Sequence, residues 1–133
     1  KSEEFILSYS STQPILESLM KLLIVDDNED IRRILKSMYS HMFYQILECD
    51  DGSSAIKIYN NERPDWVLMD IKMKKMDGIT ATKRIKNKYP KARIIIVSQY
   101  SDKDFIDAAK NSGAIEFVNK EDFSIIETII KKH

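Results

Sequence analysis

Apolar residues fall into two kinds of run that alternate along the chain. Leu22–Val25, Trp66–Met69 and Ile94–Val97 are short and apolar throughout, as expected of strands buried on both faces. Tyr44–Cys49 and Ile115–Val118 are strand-like too, but Gln45 and Glu48 interrupt the first and Glu116 the second. Between these runs the apolar spacing becomes helical. Ile31, Ile34, Leu35 and Met38 recur at i, i+3, i+4 and i+7. Further helical sets are Ala55, Ile56 and Tyr59; Ile79, Thr82, Ile85 and Tyr89; Phe105, Ile106, Ala108 and Ala109; and Phe123, Ile125, Ile126, Ile129 and Ile130.

The pattern predicts an α/β fold of five strands and five helices in strict alternation. Such alternation implies a parallel sheet covered by helices on both faces and joined by right-handed crossovers. Polar residues in the second and fifth strands place those two at the edges. That matches the doubly wound, flavodoxin-like strand order 2-1-3-4-5, in which ligands bind beyond the carboxyl ends of the strands near the reversal between strands one and three.

Length and composition narrow the picture. The chain has 133 residues, 43% of them hydrophobic, with 21 basic and 21 acidic side chains and a net charge of zero. That is one ordinary domain with material for a real core. A single cysteine, Cys49, excludes a disulfide framework, and two histidines, His41 and His133, argue against a His-built metal site. The apolar runs are too short to span a membrane, and the chain carries no secretory signal, so the expected location is cytoplasmic. Residues 1–19 differ from the rest: Lys1, Glu3, Glu4 and Glu17 are their only charges, and Met20 stands directly before the first strand. They are read as an appended leader, with residues 20–133 as the domain. Within the leader, Thr12 is placed to cap a short helix with Pro14 near its first turn and Ile15, Leu16 and Leu19 on one side.

The candidate chemistry lies at the strand ends. Asp26 and Asp27 follow Val25, Asp70 follows Met69, Ser98 follows Val97, and Asn119-Lys120 follow Val118. Three carboxylates, a hydroxyl and an ammonium therefore converge on one rim. Two carboxylates about 5 Å apart repel by about 3 kcal/mol at an effective dielectric of 20, so three need a cation to stay ionised together. Hard oxygen ligands without His or Cys favour Mg²⁺, Mn²⁺ or Ca²⁺ over Zn²⁺. A lone Asp pair after a strand is ordinarily a turn or helix cap, but a set drawn from four strand ends is hard to explain that way.

Leu22-Leu23-Ile24-Val25-Asp26-Asp27, Val67-Leu68-Met69-Asp70-Ile71-Lys72-Met73 with Asp77-Gly78, Ile96-Val97-Ser98 and Phe117-Val118-Asn119-Lys120 together resemble the receiver domain of bacterial two-component response regulators. The resemblance runs from Lys21 to about Lys132. It implies that Asp70 accepts a phosphoryl group from a sensor histidine kinase or a phosphotransfer protein. It also implies that Asp27, Asp70 and the backbone carbonyl of Lys72 ligate Mg²⁺ (or Mn²⁺), with Asp26 acting through a bound water. Ser98 and Lys120 would meet phosphoryl oxygens, and Phe117 would fill the space that Ser98 vacates on moving. A downstream effector would read the change at the face of the fourth helix, fifth strand and fifth helix, and a phosphorylation-dependent dimer is compatible with that scheme. The domain would act on its own phosphorylation and dephosphorylation only.

Departures from the family pattern cluster around the site. Lys74 stands where proline is frequent. Glu121 follows Lys120 where many members have a cis proline, so a trans bond is expected. Lys72 puts an ammonium two residues past Asp70, and Gln99 follows Ser98 where small residues are common. Lys72 is expected to shield the phosphoryl group, with pairing to the rim carboxylates or a solvated position pointing away as the alternatives. Lys72, Lys74, Lys75, Lys83, Arg84, Lys86, Lys88, Lys91 and Arg93 form a basic stretch, read as a solvated face with little aromatic interleaving beyond Tyr89. Too few residues follow Lys120 for a helix-turn-helix, so nucleic acid is not expected to bind through this chain. The alternatives are the receiver part of a DNA-binding transcriptional regulator and, less favoured, an aspartyl-phosphate phosphatase, whose usual second acid is replaced here by Lys72.

Overall fold

The computed structural model describes residues 19–133, and the expected leader and its helix lie outside the described residues except for the exposed Leu19. Ten elements alternate as expected: β1 (Lys21–Val25), α1 (Glu29–Tyr39), β2 (Gln45–Cys49), α2 (Gly52–Glu62), β3 (Trp66–Met69), α3 (Gly78–Lys88), β4 (Ile94–Ser98), α4 (Lys103–Asn111), β5 (Glu116–Asn119) and α5 (Ile125–Lys132). All four strand pairings are parallel, and the order is β2-β1-β3-β4-β5, the doubly wound arrangement read from the polar edges.

Period-two alternation divides the core into two layers. Leu22, Ile24, Trp66, Leu68, Ile95 and Val97 face α1 and α5, meeting Leu35, Tyr39, Ile126 and Ile130. Leu23, Val25, Val67, Met69, Ile94 and Ile96 face α2, α3 and α4, meeting Ala55, Ala81, Ile85 and Ala109. At about 25 cal/mol per Å² of apolar surface, these layers supply the main stabilisation of the fold. Each of the first four helices starts on a side-chain cap worth about 1 kcal/mol. Asn28 accepts from the Asp30 N–H at 2.9 Å, Asp51 from Ser54 at 2.8 Å, Asp77 from Thr80 at 2.9 Å and Asp102 from Phe105 at 3.1 Å. These caps pin the loops that carry the rim residues.

Element edges depart from the sequence reading by a residue or two. Tyr44 precedes β2 rather than opening it and is exposed. β4 extends to Ser98 and β5 starts at Glu116, because Ser98 pairs with Asn119 and carries the ladder into the rim. α5 starts at Ile125; Phe123 sits in the preceding turn, where its carbonyl accepts from the Tyr39 hydroxyl at 2.6 Å. Ile34, expected on the core face of α1, is exposed; Leu35 and the helix-closing Tyr39 carry the burial instead. Among the described residues no helix is long and apolar enough to cross a membrane.

Candidate functional site

β1 and β3 lie side by side at the sheet centre, and their ends deliver the acids. The Asp70 N–H donates to the Val25 carbonyl at 2.9 Å and the Asp26 N–H to that of Cys49 at 3.1 Å, so the ladder runs one step into the rim. Asp26 and Asp70 are buried, while Asp27 is exposed. One ligand oxygen from each of the three carboxylates lies within 4.8 Å of the others. Asp26 accepts from the Asn28 N–H at 2.9 Å, and its carbonyl accepts from the Arg32 guanidinium at 2.7 Å. Asp70 accepts from the Ile71 N–H at 2.9 Å.

Lys120 reaches this cluster from the end of β5. Its Nζ is 2.8 Å from Asp26 and 3.3 Å from Asp70. One ammonium thus faces two buried acids, and the remaining charge imbalance has a chemical consequence. Burial first, and then the charge of Asp26, push the Asp70 carboxyl up to about 6, with Lys120 and the Ile71 N–H opposing. Burial works against the Lys120 ammonium, but its hydrogen bond to Asp26 and the charges of Asp70 and Asp26 outweigh burial and hold it above the ordinary lysine range.

This predicts an inverted pH dependence in metal-free protein. The folded state keeps a proton on Asp70 that the unfolded chain, with an ordinary value of 3.8, has already lost. Stability should therefore fall as pH rises from about 4 to about 6. Urea unfolding of wild type against Asp70→Asn checks this: the difference between the two should widen across that window in favour of the variant, and a constant difference would refute it.

Ser98 is fully buried at the end of β4, its hydroxyl accepting from the Tyr100 N–H at 3.0 Å, while its carbonyl accepts from the Lys120 N–H at 3.0 Å. The hydroxyl is thus engaged in its own loop, and the backbone ties it to Lys120. Phe117 is half-buried against the α2–α3–α4 layer. No described peptide bond is cis, so Lys120–Glu121 is trans as expected. A cavity of about 330 Å³ lies at the rim, bordered by Asp27, Asp70, Lys72, Gln99, Tyr100 and Lys120.

Of the positions open to Lys72, pairing with the rim acids is not the one it takes. Among the described residues it forms no ion pair with Asp26, Asp27 or Asp70; its Nζ sits over the Tyr100 ring at 4.3 Å and the Phe105 ring at 5.2 Å. Those two rings are themselves 5.5 Å apart. The rings of Tyr100, before α4, and Phe105, in its first turn, hold the ammonium by cation–π attraction, and Lys120 is the cation paired with the buried rim acids. The sequence reading missed Tyr100, whose N–H positions Ser98 and whose ring holds Lys72. A lone tyrosine in a loop carries no spacing signal that would have identified it. Cys49 is half-buried, and burial first pushes its thiol up to about 12, so it is an unreactive packing residue as read.

The arrangement brings three carboxylates and an ammonium together beside one cavity, and the buried Ser98 adjoins Gln99 and Tyr100 of its border. The model of the response regulator receiver domain matches residues 22–131. Among curated relatives, the sporulation initiation phosphotransferase F of Bacillus subtilis is 38% identical over 114 residues, 85% of this chain and 92% of that protein. The chemotaxis protein CheY of Bacillus subtilis is 38% identical over 101 residues, 75% of this chain and 84% of that protein. Among solved structures, the CheX–CheY–BeF3–Mg complex from Borrelia burgdorferi superposes with a TM-score of 0.75 at 28% identity, covering 85% of this chain and 88% of that one.

Proposed function

The chain belongs to the response regulator receiver domain family, and from that premise we propose that Asp70 is its phosphoryl acceptor, in a reaction supported by Mg²⁺ at Asp26, Asp27, Asp70 and the Lys72 carbonyl. The observation that carries this reading is the meeting of three carboxylates within 4.8 Å, two of them paired with the Lys120 ammonium. The donor set fits a hard divalent ion: all oxygens, two of them buried, with one exposed acid open to solvent. The similar Borrelia complex contains Mg and BeF3. Bound Mg²⁺ would neutralise the acids and the incoming phosphoryl charge and keep Asp70 ionised.

The chain's own groups do the rest. An ionised Asp70 oxygen attacks phosphorus without giving up a proton first. The new bond forms as the donor's P–N or P–O bond breaks, and the leaving group takes the electron pair. Lys120, already 3.3 Å from Asp70, offsets charge on the transferred oxygens, and Ser98 donates once its hydroxyl turns from its own loop. The group adds about −1.5 to −2 charge at Asp70. Displacement of Ser98 draws on the loop that leads into α4, and Phe117 on β5 moves into the freed space, so the face of α4, β5 and α5 changes for a downstream effector. The phosphoryl donor is a sensor histidine kinase or a phosphotransfer protein.

Incubation with acetyl phosphate and Mg²⁺ should add one phosphoryl mass, and excess EDTA should abolish the gain. Millimolar Mg²⁺ alone should raise the unfolding midpoint, because it binds the folded rim and not the unfolded chain. Equal phosphorylation with and without EDTA would sink the metal-dependent reading.

A further inference from the structure

The basic stretch of the sequence divides in space. Lys72, Lys74 and Lys75 border cavities at the phosphorylation rim, whereas Lys88 and Lys91 lie at the opposite end of the sheet, beside the carboxyl end of α3. There they meet Arg63, the residue that closes α2, around a hollow of about 430 Å³ floored by Tyr59, Tyr89 and Pro90. A hollow of this size, with an aromatic floor and three cationic side chains at its border, has the character of a site for a small anionic molecule.

Arg63 is the unusual member. It holds a left-handed backbone, φ 46°, at the helix end, where glycine or asparagine is the ordinary choice. A long side chain kept in that conformation points to a role for the guanidinium. The guanidinium lies 4.1 Å from the Tyr89 ring centroid, and the Tyr59 and Tyr89 rings are 5.1 Å apart. Asn60 accepts from the Tyr89 hydroxyl and from Lys88, fixing both side chains. Lys86 is engaged with the loop after α3, donating to the carbonyls of Pro90 and Ala92 at 2.5 and 2.9 Å, and Arg63 Nε donates to the Asn60 carbonyl in the last turn of α2 at 3.2 Å, complementing the dipole at that helix end. Hydrogen bonds to Asn60 hold Arg63 and Lys88 in place, but the charges of Arg63, Lys88 and Lys91 remain. Among the described residues none of these three is ion-paired. Of the nearby acids, Glu62 pairs with the Lys21 ammonium at 3.1 Å, and Asp65 accepts from the Lys21 backbone N–H at 2.7 Å.

We propose that this hollow binds a free nucleotide, its base stacked on the Arg63–Tyr89 pair and its phosphates between Lys88 and Lys91. Planar guanidinium and phenol groups stack on any base face, and three uncompensated cations match a di- or triphosphate. The site stands at the far end of the sheet from Asp70 and does not depend on phosphoryl transfer there.

Calorimetric titration of the protein with ADP in EDTA, which removes metal from the rim, tests this. ADP should saturate one site at about millimolar concentration or below, with equal affinity in Asp70→Asn. Arg63→Gly keeps the left-handed backbone without strain and should weaken ADP at least tenfold. Lys88→Ala with Lys91→Ala should do likewise. Adenosine and inorganic pyrophosphate, each carrying half the chemistry, should bind at least tenfold more weakly than ADP. No saturation by ADP, unchanged affinity in Arg63→Gly, or pyrophosphate binding as tightly as ADP would overturn the proposal. So would a short oligoadenylate that outcompetes ADP tenfold, which would assign the surface to nucleic acid.

Discussion

Asp70→Asn is expected to take up no phosphoryl group at all from acetyl phosphate and Mg²⁺, while remaining folded. The substitution is nearly isosteric. Its amide oxygen still accepts from the Ile71 N–H, the 2.9 Å bond that orients the side chain. What disappears is the nucleophile, because an amide oxygen does not form a stable bond to phosphorus under these conditions. Folding should if anything improve at neutral pH without metal, since a buried carboxylate that faces Asp26 and has its pKa raised to about 6 is removed. Intact-mass measurement before and after hydroxylamine treatment reads the outcome, as an acyl phosphate is cleaved by hydroxylamine and a phosphoserine or phosphothreonine is not. Asp27→Asn is the informative partner. It removes the exposed acid proposed as a metal ligand but leaves the proposed acceptor, so it should slow labelling without moving it. If Asp70→Asn gains the same labile mass as wild type, the acceptor is another rim acid, and Asp26 at 2.8 Å from Lys120 would be next in line.

Some of this architecture was legible in the sequence because it repeats a simple physical demand. Strands buried on both faces must be apolar throughout, and β1, β3 and β4 are. Edge strands tolerate charge, and Glu48 and Glu116 mark β2 and β5. Strand order then follows, and with it the convergence of Asp26, Asp27, Asp70 and Lys120. Less legible were features set by contacts between distant segments. Ile34 fits the helical period of α1 yet is exposed, because a period gives the direction of a face and not the width that neighbours cover. Sequence proximity alone allows Lys72 to pair with the acids two residues away. Instead it sits over Tyr100 and Phe105, residues of another loop and helix whose rings no spacing rule connects to it. Arg63 and Tyr89 likewise become neighbours only through the packing of α2 beside α3. Opposite charges are expected to attract, so sequence reasoning pairs them first and overlooks the aromatic alternative.

The second large effect is expected from a residue that carries no chemistry. Gly78 opens α3, and its N–H donates to the Ile71 carbonyl at 2.7 Å, folding the loop back onto the end of β3. A Cβ built at Gly78 would lie 1.7 Å from the Asp70 carbonyl oxygen and 2.8 Å from both the Asp70 carbonyl carbon and the Met69 Cγ. The first of these contacts is with backbone, so no side-chain rotation relieves it: either the helix start or Asp70 itself must move. Both are held, the helix by the Asp77 cap and Asp70 by its ladder bond to Val25. Gly78→Ala should therefore cost at least about 2 kcal/mol of stability in urea unfolding. Displacing the acceptor by even about 1 Å relative to Lys120 should slow phosphorylation by one to two orders of magnitude, roughly the sensitivity expected of a positioned nucleophile. Gly113→Ala separates strain from position. Gly113 has φ 101° and its added Cβ would meet the Lys86 side chain at 3.0 Å, away from the rim. That variant should lose about 1 kcal/mol from the unfavourable backbone and phosphorylate at the wild-type rate. If Gly78→Ala, measured where it is still fully folded, also phosphorylates at the wild-type rate, the close approach of α3 to Asp70 does not position the acceptor.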